Sequence, residues 1–476
     1  MSKAPFHSTH HPTASSASWT VSALIEALNK PVNIAPLAFF RIFFGLMMCG
    51  SAIRFLAKGW VKQLYVDTPY HFKYWGFEWV STLGNTGTHL LFVGIAITAL
   101  MVALGWWYRI SISAFFLLFS YAELMDATNY LNHYYFISVV AFLLIWLPAH
   151  RKYSLDVLRH PSLTLHTAPA WILGSLKLQI GLVYFFAGLA KVNADWLLEA
   201  EPLHHWLRSK YDFPILGQLF RYEASAYFFS WAGCLYDLSI PFLLLWRKTR
   251  PLAFMAVVFF HIITWALFPI GVFPFIMIGS TLLFFPSSVH ERILKQLQNL
   301  FAFVKTTGQA SQLHTANTSG KKVWKRALVP TLFTIHFIVQ IVLPLRHHLY
   351  DSNLYWTEEG YRFSWRVMLT DKSGLAFYTV KDHDGKSTLV DLNDYLTERQ
   401  QKFLGTNPDF MVQFAHFLKD TYQGKGYSQP EIYIESYLNL NGKGSRAFSN
   451  KHVNMANESW GLAPKAWILP FNDKAS

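Results

Sequence analysis

Cysteine is almost absent: two residues in 476, Cys49 and Cys234, both inside apolar runs. That excludes a disulfide framework and a thiolate zinc cluster. Charge is scarce too, at 14% of residues, against 52% hydrophobic and 17% aromatic. An ordinary soluble enzyme of this length carries more charge and fewer aromatic rings. No glycine-rich dinucleotide or phosphate loop lies in a strand–helix setting, and there is no GxSxG elbow and no HExxH pair. His7, His10 and His11 have no helical context, and His204 and His205 are adjacent, so a metal site is not expected. The first twenty residues are rich in Ser, Thr and His and lack the apolar core of a signal peptide, which leaves insertion to the first apolar span. Internal repeats and long low-complexity segments are also missing.

Long apolar runs are what the chain does have. They fall at 36–56, 88–107, 109–125, 134–148, 169–190, 224–246, 251–268, 271–286 and 329–345, most of them near the roughly 20 residues a helix needs to cross a bilayer. The pattern predicts a mainly α, polytopic membrane protein with about nine transmembrane helices, followed by a small α+β extramembrane domain. The expected divisions are a cytoplasmic tail at 1–35, a multi-span domain at 36–345 and an extracytoplasmic domain at 346–476.

The net charge of +13 fits this layout. With a cytoplasmic N-terminus, the inward loops hold Arg109, then Arg151, Lys152 and Arg159, then Arg247, Lys248 and Arg250. The largest holds Arg292, Lys295, Lys305, Lys321, Lys322, Lys325 and Arg326. The outward connections 126–133 and 269–270 carry almost no positive charge, although 57–87 and 191–223 carry several. The bias is positive inside, with anionic membrane lipid as a secondary contact. Because the aromatics lie within the apolar spans, the basic charge does not read as a nucleic-acid surface. A flexible cytoplasmic linker is expected over 306–322. Beyond 346, "GLAFYTVKDHDGKSTLVDL" alternates and turns at Asp384-Gly385, a hairpin signal. "PEIYIESYLNLNGK" alternates again, with Ile432, Ile434 and Tyr437 expected inward, and two segments between them have helical spacing.

Ionisable residues at the spans are functional candidates. Lys191 ends the fifth in "FFAGLAKVNADW", Asn132 and His133 open the fourth, and His261 lies in the outer half of the seventh. Asp237 is near the middle of the sixth, and Tyr361 follows the last. All but Asp237 fall on one side. Each also has a plainer reading. Lys191 can be a snorkelling anchor, His133 a helix-end donor and His261 a satisfied core histidine. Asp237 can pair with a neighbour, and Tyr361 can open a strand. The chemical reading of Lys191 is a buried amine that surrenders its proton readily enough to act as a base toward a membrane-dissolved phenol or quinol. Asp195, if close, would oppose it by stabilising the ammonium.

These segments resemble the vitamin K-dependent gamma-glutamyl carboxylase family, in the superfamily of horizontally transferred transmembrane (HTTM) domains. The likeness runs from "APLAFFRIFFGLMM" through "NYLNHYYFISVVAFLL", "YFFAGLAKVNADW", "FHIITWALFPIGVFPFIM" and "EEGYRFSWRVML" to "EIYIESYLNLN" and "AWILPFND". The resemblance implies gamma-carboxylation of glutamate in a protein or peptide partner, coupled to oxygenation of reduced vitamin K to its epoxide, with O2 and CO2 as co-substrates. It implies that Lys191 is the base, with His133 also catalytic. It puts Asn132, Tyr184 and His261 at the quinol, and Tyr361 at the glutamate substrate. The chain departs from the animal enzymes in having Ala190 where they pair a second lysine, and no cysteine in the outer domain. A bacterial-type member is therefore expected, in the inner membrane if prokaryotic and the endoplasmic reticulum membrane if eukaryotic. The other readings are a quinol epoxidase without carboxylation and a non-enzymatic quinol or lipid carrier.

Overall fold

The computed structural model describes residues 21–300 and 321–471. The expected linker, apart from Lys321 and Lys322 at the start of a helix, lies outside the described residues, as do most of the expected N-terminal tail and the histidines at 7, 10 and 11.

Lipid offers a backbone no hydrogen-bond partners, so apolar segments satisfy their own N–H and C=O groups by coiling. The helices are α1 Ala35–Ala57, α2 Gly84–Leu104, α3 Tyr108–Leu124, α4 Asn132–Trp146 and α5 Ala170–Ala190. They continue with α6 Glu223–Leu245, α7 Arg250–Leu267, α8 Phe273–Thr281, α9 Ser287–Leu300 and α10 Lys321–Leu345. Every expected apolar run is helical, yet nine full-length spans are not confirmed. Among the described residues, six helices are long and apolar enough to cross a membrane: α1, α2, α5, α6, α7 and the helical stretch Leu328–Leu349. A seventh counts if α8, continued to Phe284, and α9 are one span, but these are bent by 119°. The physical reason is length: α3 has 17 residues, α4 has 15 and α8 has nine. These short elements are flanked by longer helices with which they share one apolar core.

At one end of the bundle, β1 (Pro31–Asn33) pairs antiparallel with β2 (Thr167–Pro169). Glu291 gathers Asn33 Nδ2 at 2.9 Å and Lys152 Nζ at 3.0 Å there. The opposite end carries a four-stranded antiparallel sheet of order β4-β3-β5-β6, formed by β3 Lys372–Lys381, β4 Ser387–Leu389, β5 Glu431–Leu440 and β6 Ser445–Ala447. Two helices, α11 Glu398–Leu404 and α12 Pro408–Gly424, pack on its inner face. The hairpin forms as expected, with Gly385 at φ +79°. One detail of the strand phase differs. Ile432 and Ile434 are fully buried, but Ser436 and Leu438 continue that face and Tyr437 points out. Period two fixes this once Ile434 is inside, since residue 437 is an odd step away.

The sheet domain is bolted to three bundle-end loops. Lys73 N donates to Gln413 Oε1 at 2.8 Å, and Arg399 Nη1 donates to Asn129 Oδ1 at 2.6 Å. Asp195 receives Asn441 Nδ2 at 2.8 Å and Lys443 Nζ at 3.0 Å.

Candidate active site

Lys191 caps α5, but its side chain does not reach outward. Its Nζ turns back one helical turn to Ala187 O at 3.1 Å and meets Asp237 Oδ2 at 2.7 Å. It also lies 5.4 Å from the centre of the Trp196 ring. Both ends of the ion pair are buried, at 6% and 5% exposure. Asp195, the carboxylate adjacent in sequence, is committed to the sheet domain. Asp237 takes its place because α5 and α6 touch at Gly188. A Cβ there would come within 2.7 Å of Leu238 N and 3.0 Å of Asp237 C. Only glycine permits that approach, and it carries the mid-helix carboxylate under the lysine.

The pair opens into a cavity of about 300 Å³ walled mainly by aromatic and aliphatic side chains of α5, α6, α7 and α8. Tyr184 and His261 line it as well, joined through Tyr184 Oη and His261 Nε2 at 2.8 Å. His261 Nδ1 is buried without a protein partner. Phe228 and Phe259, each about two-thirds exposed on the outer surface of the bundle, also border the chamber. It therefore lies against the lipid-facing side of α6 and α7.

Asn132, His133 and Tyr361 are not in this chamber. They line a larger cleft of about 760 Å³ between the bundle end and the sheet domain. The two cavities share Ile270, Phe273, Val367 and Met368. Phe273 stands between the histidines, its ring centre 5.8 Å from that of His133 and 5.7 Å from that of His261. So the six residues sort into two groups of three on either side of a common wall. Asn132 is occupied by protein: Nδ2 donates to Arg366 O at 2.9 Å, and Oδ1 accepts from Tyr130 Oη at 3.0 Å. It holds a contorted segment in which Glu358, Phe363, Trp365 and Met368 all have positive φ, a costly conformation for residues with a Cβ that is concentrated at functional sites. Burial pushes the Tyr361 phenol well above its ordinary range, so it remains a hydrogen-bond donor.

Sequence reasoning missed the cationic lining of the cleft: Arg54, Arg362, Arg366, Lys372 and Arg399. Two of these lie four residues apart in "YRFSWRVML", the only local hint. Among the described residues, no group of three His, Cys, Asp or Glu side chains is placed to hold a metal.

A helical membrane bundle with an apolar, lysine-bearing chamber beneath a polar α+β domain defines a class of integral membrane protein that works at the lipid–water boundary. The HTTM domain family model matches residues 29–288, more than half of the chain, and the model of the vitamin K-dependent gamma-carboxylase lumenal domain matches residues 325–474. The chain belongs to the vitamin K-dependent gamma-glutamyl carboxylase family of HTTM-domain proteins. No solved structure matches it.

Proposed function

We propose that the protein carboxylates glutamate side chains of a protein or peptide at the γ-carbon, coupled to oxygenation of reduced vitamin K to its epoxide. The observation that carries this reading is the wall of four residues between a lysine-bearing apolar chamber and a cationic, water-facing cleft. A lipid-soluble reactant and an acidic peptide can thus meet across one side chain's thickness.

The chamber fits a reduced quinone: it is apolar, it borders lipid, and it presents an orphan nitrogen, His261 Nδ1, suited to a ring oxygen. When bound, reduced vitamin K supplies, with O2, a base strong enough to take a glutamyl γ-proton, after which the carbon adds CO2. The residues of the chain prepare that chemistry. Two desolvated charges 2.7 Å apart can become a neutral pair by moving one proton. With that proton on Asp237, Lys191 is a free amine able to accept one from a quinol hydroxyl. Tyr184 orients His261. His133 faces the cleft side of Phe273, placed to hold or return a proton there, and Asn132 fixes the 358–368 segment. Tyr361 donates toward the glutamyl substrate. Aromatic walls exclude water, which would otherwise quench a strong base.

The helix ends support nine crossings, three of them by short helices, with the N-terminus cytoplasmic and the domain from about 346 outside. Loops 70–80, 126–130 and 191–195 meet the sheet domain, whereas residues 33, 152 and 291 meet one another at the far end. As a bacterial-type member, the protein would sit in the bacterial inner membrane if prokaryotic and in the endoplasmic reticulum membrane if eukaryotic.

Labelled bicarbonate supplied with reduced vitamin K and a glutamate-containing peptide tests the function. Label in the peptide together with epoxide is the expected result. Epoxide without label would reduce the activity to a quinol epoxidase, and neither product would leave a carrier.

A further inference from the structure

We infer that the cleft grips at least two carboxylates at once, so that the enzyme selects glutamates flanked by a second acidic side chain. This rests on the reading of the cleft as the peptide site, and goes beyond it by setting the sequence context of the target.

Four guanidiniums line the cleft, and among the described residues none is ion-paired. They stand on different walls. Arg54 comes from α1 and lies over Trp60 at 5.2 Å. Arg366 comes from the contorted segment beside the shared wall and is 7% exposed; it contacts only the neutral partners Tyr355 Oη at 3.3 Å and His347 Nδ1 at 3.2 Å. Arg362 is held over the Phe410 ring at 4.6 Å, and Arg399 over Phe403 at 5.5 Å, both against the sheet domain. Ring stacking fixes the planes of Arg54 and Arg362 while leaving their N–H edges available, whereas Arg399 spends Nη1 on Asn129 Oδ1 at 2.6 Å and Nη2 on Thr128 O at 3.2 Å. The Nε atoms of Arg54 and Arg366 are buried with no partner, a cost that an incoming acceptor would remove.

The acidic residues of the cleft do not cancel this charge. Glu358 is engaged by Lys372 Nζ at 3.0 Å and by Asn407 Nδ2, leaving only the exposed Asp371. One carboxylate has two oxygens and is satisfied by one bidentate arginine. It cannot serve guanidiniums on opposed walls. The volume of the cleft, about 760 Å³, suits a short peptide rather than a single side chain. A lipid headgroup would be the other anionic occupant, but one wall belongs to the sheet domain, and the cleft leads to the chamber wall rather than outward to lipid.

The test uses the full chain in nanodiscs of neutral lipid, without reduced quinone, and two fluorescent pentapeptides with one central glutamate flanked either by aspartates or by asparagines. The aspartate-flanked peptide should bind about tenfold more tightly, the worth of one additional charge-assisted hydrogen-bonded contact. Added salt should narrow the gap. Arg362→Gln should abolish most of it and Arg362→Lys should keep part; if Arg362→Gln does not elute as a single species, Arg54→Gln replaces it. Equal affinity for the two peptides, or a gap unchanged in the arginine variants, would overturn the inference. So would loss of peptide binding when anionic lipid is added at constant ionic strength, because the cleft would then hold a headgroup. Since binding is read without quinol chemistry, a failure of carboxylation leaves this result intact, and a failure here leaves the carboxylation test intact.

Discussion

Lys191 differs from an interfacial anchor in the direction of its amine, which points back into the bundle at Asp237 rather than up toward water. An anchor needs only a positive charge, so arginine would replace it; a base needs a group that can lose its proton, which arginine does not do. Lys191→Arg and Lys191→Ala should both insert and bind quinone, yet lose epoxidation and carboxylation together by about a hundredfold to ten-thousandfold, the usual range for a general base. Raising the pH should partly restore Lys191→Ala, because solution then supplies the ionised quinol. Full activity in Lys191→Arg, measured as epoxide, would return the residue to the anchor role. On the other side of the wall, Tyr361→Ala should depress label incorporation more than epoxide formation; equal loss would tie Tyr361 to the chamber instead. The sequence made Lys191 and Tyr361 visible because polar residues at apolar boundaries stand out. It offered Asp195, four positions on, as the carboxylate for Lys191 and did not point to Asp237, 46 residues away.

The elements that decide this partner are α5 and α6. Gly188→Ala forces a methyl group against the backbone at Leu238, and overpacking of this kind costs about 1–3 kcal/mol. Its particular signature should be loss of quinol epoxidation out of proportion to loss of folded protein, because the Lys191–Asp237 contact opens. Thermal unfolding measured alongside turnover checks this. In the sheet domain, the β3–β4 hairpin is tied to the segment before β5 by Asp382. Its carboxylate accepts from the Gln429, Ser428 and His383 N–H groups and from the Ser428 hydroxyl. These bonds, the Gln429 N–H first, hold Asp382 below the ordinary carboxylate range. A carboxyl lowered in the folded state stabilises fully above its unfolded value, and that stability is lost as pH falls through the folded one. Asp382→Asn should therefore lower the denaturant midpoint of the domain near neutrality, with the difference fading below about pH 4. A difference constant with pH would show that the charge is irrelevant. The hairpin was legible from Asp384-Gly385 and alternation. The facing of Tyr437 was not, because an aromatic residue suits either face of a half-buried strand.

At the scale of the whole molecule, the proposed topology predicts opposite accessibility for two exposed positions. An impermeant thiol reagent applied to intact cells should label Asp384→Cys and spare Lys248→Cys. The background is low, since Cys234 is buried and Cys49 is half-buried in the bundle. The reverse pattern would move the cleft and its peptide to the cytoplasmic side. The sequence shows nine apolar runs, but six helices are long and apolar enough to cross a membrane by themselves among the described residues, and the difference has a physical reason. Hydropathy reports that a segment avoids water, and both lipid and a protein interior satisfy that demand. Packing decides which one does.

Apolar runs, a lysine at the edge of one of them, histidines at two others and an alternating C-terminal region were determined by the sequence itself, through local periodicity and composition. Tertiary structure alone decided that Asp237 rather than Asp195 meets Lys191 and that Tyr184 and His261 are separated by one wall from Asn132, His133 and Tyr361. It also gathered four scattered arginines around one cleft. The reason is the same throughout. A residue's burial preference is carried by its neighbours a few positions away, whereas its chemical partner is fixed by how closely two distant backbones approach, and here that approach depends on Gly188 and on the loops that bind the sheet domain to the bundle.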